Sequence, residues 1–208
     1  MRGLMDTPRR PHHHGNLPNA LHAAARAILD EAAPDVVGLR EVARRVGVSA
    51  TAAYRHFASK EALLASVAAE GFRELAAAME TGATESDPLH GVGLAYVDFA
   101  LQNRGLFRLM FGTILVERAK YPELNEAEGA VFGLLQRIAV SADEQPREGN
   151  SAGMAAWGLV HGLSSLFIDG LFPETYARGM ANEILVQRPG PNTNPPPSAT
   201  DTTSTLST

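Results

Sequence analysis

The chain has 208 residues, 45% of them hydrophobic, enough to bury a core as one large domain or two small ones. It contains no cysteine, which excludes a disulfide scaffold, thiolate zinc sites and cysteine nucleophiles and suits a reducing compartment. The net charge of −5 argues against nucleic acid as a partner of the whole surface, yet residues 1–60 carry nine Arg and Lys against five acids, a net of +4, and the remainder carries −9. A basic head on an acidic body is what phosphate binding by one end requires. The opening MRGLMDTPRRPHHHGN has no apolar run behind its arginines, and later apolar stretches are broken by Glu, Arg or Asp. Neither a signal peptide nor a membrane partner is expected, and the expected location is the cytoplasm.

Helical periodicity runs through nearly the whole sequence and strand signals are absent. Leu21, Ala25, Ile28 and Ala32 form one stripe after Pro18, and Pro34 ends it. Leu39, Val42, Ala43 and Val46 repeat at three and four residues until Gly47. A short helix is predicted from about Ala50 to Phe57. Ser59 then reads as the cap of a long helix from Lys60 to near Met79, with Leu63, Leu64, Val67, Phe72 and Leu75 inside. The stretch TGATESDP breaks the chain between its two halves. Further helices are predicted at Pro88–Asn103, Leu106–Glu117, Glu123–Ala142, Ser151–Asp169 and Glu174–Gln187. From Arg188 onward the chain has too few apolar residues to order it and reads as a disordered tail.

The informative stretch is LREVARRVGVSATAAYRHFASKEALL, residues 39–64. Two short helices meet at Gly47, where a residue without a β-carbon takes the positive φ of a tight turn. Val42, Ala43 and Val46 face inward, and Val48, Ala53 and Phe57 are placed to meet them. That leaves Ser49, Ala50, Thr51, Ala52, Tyr54, Arg55 and His56 outside. Small side chains at the helix start let the backbone approach base edges, while Tyr54, His56 and Lys60 can donate to phosphates. Arg40 joins them as a basic residue on the preceding helix. Arg44 and Arg45 read equally well as solvated surface or as phosphate ligands.

Residues 14–64 resemble the DNA-binding domain of TetR-type repressors, through Tyr54, His56, Phe57, Lys60 and Leu63 with LREVA in front and GVS at the turn. The resemblance implies that the helix from Ala50 reads DNA and that Lys60 touches phosphate. It also implies a dimer whose second domain binds a small molecule and releases the operator. Gly38 stands where many members carry a capping Ser or Thr. Trp157, His161 and Gly162, with GLFRLMFG at 105–112 and HHHGN near the start, resemble the subgroup whose C-terminal domain is named for a Trp-His-Gly signature.

The expected fold is therefore all-α. A three-helix DNA-binding domain (15–64) is joined by the long helix to a helical-bundle ligand-binding and dimerisation domain (65–187), with a tail at 188–208. Phe107, Met110, Phe111 and Ile114 form a helical stripe that is core by default. It can double as the lining of an apolar cavity with Trp157 and His161, and with Phe99 and Met154 added. His161 is either the one polar group that orients a neutral, mostly apolar effector or a satisfied core histidine. The dimer is expected through the last two helices, where Gly153, Gly158 and Gly162 permit close approach and Ile184 and Leu185 add apolar surface. His12, His13 and His14 read as a flexible arm near DNA rather than a metal site. No metal or cofactor is expected. A hydrolytic set built from Asp98, His161 and Asp169 is the remote enzymatic alternative, without a nucleophile elbow or phosphate loop to support it.

Overall fold

A computed structural model describes residues 17–139 and 151–186. The His12–His14 arm, the predicted helix end at 140–142 and the tail lie outside the described residues. The helices are α1 (Leu17–Glu31), α2 (Leu39–Val46), α3 (Ala50–Tyr54), α4 (Lys60–Gly82), α5 (Pro88–Gln102), α6 (Arg104–Phe111), α7 (Pro122–Ala139), α8 (Ser151–Ile168) and α9 (Glu174–Val186). Two 3₁₀ turns, Pro34–Val36 and Arg118–Lys120, complete the order, and among the described residues there is no strand.

The first three helices pack Leu21, Ala25, Ile28 and Leu29 of α1 against Val42 and Ala43 of α2 and Ala53 of α3. Gly47 takes φ +79, the left-handed conformation predicted for it, and its amide bonds back to the Ala43 and Arg44 carbonyls. Gly38 caps α2 without a side-chain hydrogen bond. Ser49 and Ser59 each accept from the amide three residues on, at 3.2 and 3.1 Å, and so start α3 and α4.

Helix α4 is the spine. Leu63, Leu64, Val67, Phe72, Leu75 and Met79 are fully buried, because α4 packs against α1 and α6 as well as α5 and α7. Each such side chain removed from water is worth ~1.5–3 kcal/mol, so this one helix anchors both halves. The segment 83–87 is a turn that sets α5 beside α4, with Asp87 accepting from the His90 amide at 3.1 Å to start α5. Helices α8 and α9 close the far side against α5.

Two predicted helix ends were too long. Helix α3 ends at Tyr54, where Arg55 takes over as its cap; the His56 and Phe57 amides both turn back to the Ala53 carbonyl, bringing Phe57 into the core. Helix α6 stops at Phe111 because Gly112 turns extended and β-branched Thr113 and Ile114 follow. The Arg118 guanidinium then supplies the donor the helix end lacks, bonding the Met110 carbonyl at 2.8 Å. Ile114 packs on the core from outside the helix.

Candidate functional site

The outer face of the first three helices carries the predicted DNA contacts. Ser49, Thr51, Tyr54, Arg55, His56 and Arg40 are exposed, Ala50, Ala52 and Lys60 are half-buried, and Ala53 points into the core. Among the described residues Arg40, Tyr54, Arg55 and His56 have no hydrogen bond or ion pair through their side chains, so their donors are available. Lys60 gives one of its three donors to the Asp35 carbonyl, at 2.5 Å, which ties the start of α4 to the 3₁₀ turn and leaves two.

Arg44 and Arg45 are committed elsewhere. Arg44 holds Glu41 in a two-bond fork at 2.7 and 2.8 Å. Arg45 forks onto Glu31 at 2.6 and 3.0 Å and reaches Glu41 at 3.2 Å, pinning α2 to the end of α1. The two guanidiniums pull the Glu41 carboxyl down to about 2, Arg44 first. Their charges are neutralised by internal pairs, so the surface reading of Arg44 and Arg45 is the better one.

In the second domain the structure gathers an aromatic cluster. Phe107 stacks on the His161 ring at 5.4 Å; Phe111 meets it edge-on at 4.7 Å and Trp157 lies 5.2 Å away. At its centre stands Tyr96 of α5, which the sequence reading did not single out. Its hydroxyl bonds His161 Nδ1 at 3.0 Å. The available signal was its place on the buried stripe Val92, Tyr96, Phe99, Ala100 of α5. Burial pushes the Tyr96 hydroxyl well above the usual tyrosine range, with Trp157 opposing through its indole N–H. That approach falls short of a hydrogen bond, and Trp157 Nε1 is buried without a partner. Burial also lowers the His161 pKa, favouring the neutral ring. A neutral imidazole that accepts the Tyr96 proton at Nδ1 carries its own proton on Nε2 and presents a donor.

The other predicted lining residues are not part of this cluster. Met110 is fully buried with its sulfur toward Gly71 of α4. Phe99 is buried but makes no ring contact with the cluster. Met154 is 61% exposed on the open face of α8. A void of about 30 Å³ lies elsewhere around α8, between Leu89, Leu135, Val160 and Leu185.

The predicted dimer face also needs correction. Gly153 packs against Gln136 of α7, and Leu185 is only 3% exposed inside the core, so neither offers surface. Gly158 and Gly162 do look onto open space, Met154 and Leu166 of α8 are exposed at four-residue spacing from them, and Leu171, Tyr176 and Val186 are exposed further along the chain. The hydrolytic alternative fails outright: Asp98 pairs with Arg178, Asp169 with Arg108, and His161 with Tyr96.

Residues 21–67 match the family model for bacterial regulatory proteins of the tetR family, and residues 89–188 match the Tetracyclin repressor-like C-terminal domain. The second match contains Trp157, His161 and Gly162. No curated protein matches the chain. Among solved structures, a Rhodococcus sp. RHA1 protein described as of unknown function is 32% identical, with TM-score 0.70, covering 85% of this chain and 97% of its own. The TetR family regulator PfmR from Thermus thermophilus is 20% identical, with TM-score 0.55 and coverage of 81% and 94%. The TetR-like regulator LfrR from Mycobacterium smegmatis, solved with proflavine, is 19% identical, with TM-score 0.56 and coverage of 81% and 93%. These last two share the fold. Among the described residues no helix is long and apolar enough to cross a membrane. With both halves matched and the helix-turn-helix geometry in place, the chain belongs to the TetR family of bacterial transcription regulators, which bind DNA and are not enzymes.

Proposed function

We propose that the protein is a homodimeric, ligand-responsive repressor in the cytoplasm that leaves its operator when a small, mostly apolar molecule enters the second domain. The observation that carries this reading is the position of α6. One side of this short helix holds Phe107 and Phe111 in the ring cluster with His161; its first turn is in backbone contact with α1 of the DNA-binding domain. A molecule that displaces the rings therefore moves a helix that touches the reading head.

The chemistry supports an uncharged guest. The rings supply apolar surface, and the polar groups among them (the Tyr96 oxygen, a neutral His161 and the unpaired Trp157 N–H) carry no net charge. The exposed apolar face of α8 and α9 supports a two-fold interface, with Gly158 and Gly162 allowing close helix approach. Two copies would present α3 to successive major grooves, roughly 34–36 Å apart for half-sites one turn apart. A ligand weakens operator binding only by its differential affinity for the two arrangements. LfrR, a protein of the same fold, was solved in complex with the aromatic compound proflavine, which supports a small-molecule guest in this fold without bearing on its charge.

The test is fluorescence anisotropy of a labelled promoter duplex titrated with the full chain, with and without a panel of neutral aromatic compounds. The reading requires specific binding that at least one compound weakens about tenfold or more. His161→Ala is expected to keep the dimer and the operator affinity while losing the response. If that variant unfolds or falls to monomer, His161 is a structural residue and the ligand assignment is wrong.

A further inference from the structure

A second cavity, of about 260 Å³ and half-open to solvent, lies between the DNA-binding head and the start of α7. Phe57 and Ala62 border it from the head and first turn of α4; Tyr121, Pro122 and Leu124 border it from the opposite side. Ser66 is among its lining residues, and the Ser66 hydroxyl is the end of a hydrogen-bonded chain. Ser66 Oγ lies 2.9 Å from His22 Nε2, and His22 Nδ1 lies 2.7 Å from Glu70. The His22 ring also stacks on Phe57 at 5.4 Å.

The chain leaves Ser66 an acceptor. Nδ1 faces a carboxylate and so carries a proton; where Nε2 is bare the Ser66 O–H donates to it, and where Nε2 carries a proton Ser66 Oγ accepts it. In either arrangement a serine lone pair is left over. The order serine, histidine, carboxylate matches a hydrolytic triad, but Ser66 lies inside α4, where the amides around it are spent on helix bonds and no oxyanion donor is left. Ser66 is an acceptor, not a nucleophile.

Charge at the mouth is balanced. Lys120 pairs with Glu117 at 2.5 Å and Glu123 with Arg73 at 3.7 Å, so neither an anion nor a cation has an unpaired partner there. A cavity of about 150 Å³ suffices for benzene, so this one has room for two fused rings. We infer that the cavity bordered by Phe57, Ser66 and Tyr121 is a binding site, separate from the ring cluster, for an uncharged one- or two-ring aromatic that donates a hydrogen bond from N–H or O–H to Ser66. Its occupant touches Phe57, the residue that seats the end of the recognition segment in the core.

The experiment compares indole with benzofuran, which has nearly the same shape but no donor, by ligand-observed NMR on the full-length protein. Indole is expected to bind about fivefold more tightly, the usual worth of one hydrogen bond. Ser66→Ala is expected to remove that difference, and Ala62→Leu, which fills the space, to remove binding of both. His161→Ala, at the ring cluster, leaves all of this unchanged, so this site and the proposed effector site stand or fall separately. If Ala62→Leu does not fold, the indole and benzofuran pair on native and Ser66→Ala protein decides alone. Equal affinities for the two probes, no binding of indole up to its solubility, or binding abolished by His161→Ala would each overturn the site.

Discussion

A β-carbon on Gly105 would lie 1.8 Å from the carbonyl oxygen of Leu29, so the first turn of α6 rests directly on the last turn of α1. The neighbour is backbone and cannot rotate aside. Gly105→Ala is therefore expected to destabilise the chain by about 1–3 kcal/mol, the usual cost of overpacking a tight contact. Urea denaturation followed by circular dichroism measures it, and an unchanged midpoint would mean that the two helices are free to separate.

The same junction is tied by Arg26, which pairs with Glu74 on α4 and donates to Asn103 Oδ1 at 3.0 Å, between α5 and α6. One guanidinium on the head thus holds the spine and the pocket helix. Its pairs are partly exposed, which discounts them, so a coupling of about 0.5–1 kcal/mol is expected between Arg26→Gln and Asn103→Ala in a double-mutant cycle. Additive effects would show that the bond carries no energy.

On DNA, the head's cations separate into two kinds. Lys60 keeps two free donors, whereas Arg44 is forked onto Glu41. Lys60→Ala is expected to weaken binding to all sequences and lower the salt slope by about one; Arg44→Ala is expected to change the slope far less. Thr51 variants should change which bases are preferred. The check is anisotropy over a salt series, and equal slopes for the two charge deletions would contradict this division.

The reading head was legible because its signals are local. Gly47, Ser49 and Ser59 act within four residues of themselves, and the spacing from Tyr54 to Leu63 needs no tertiary knowledge. What escaped depends on distant partners. Tyr96 is one apolar-stripe residue among several until α8 brings His161 to its hydroxyl, 65 residues away. The chain from Ser66 through His22 to Glu70 spans 44 and 48 residues, and nothing in either stretch announces it. Leu185 and Ile184 were indistinguishable in sequence, yet only the first is buried in the core. The donor that satisfies the end of α6 comes from Arg118 reaching back to Met110, a contact that helix periodicity does not contain.

His161 gives a pH prediction. Burial lowers its pKa below the ordinary value of ~6.5, so the unfolded chain takes up a proton there before the folded chain does. Stability is full above about pH 6.5 and falls as the pH drops from there to the lowered value. Below that value this residue causes no further loss. His161→Gln cannot titrate and can still accept from Tyr96. The loss of stability between pH 7.5 and 5.5 is expected to be smaller in that variant than in the native chain, as read by thermal unfolding at each pH. Identical profiles would show that the ring is not held neutral by the fold.

Genomic footprinting of the full-length protein asks whether α3 reads operator DNA for a two-fold regulator. A small set of discrete sites is expected, each with two protected half-sites related by symmetry and one or more helical turns apart. Thr51 variants are expected to shift or lose those sites. Even coverage without discrete sites, or a site pattern that Thr51 and Lys60 substitutions leave unchanged, would contradict this role for α3.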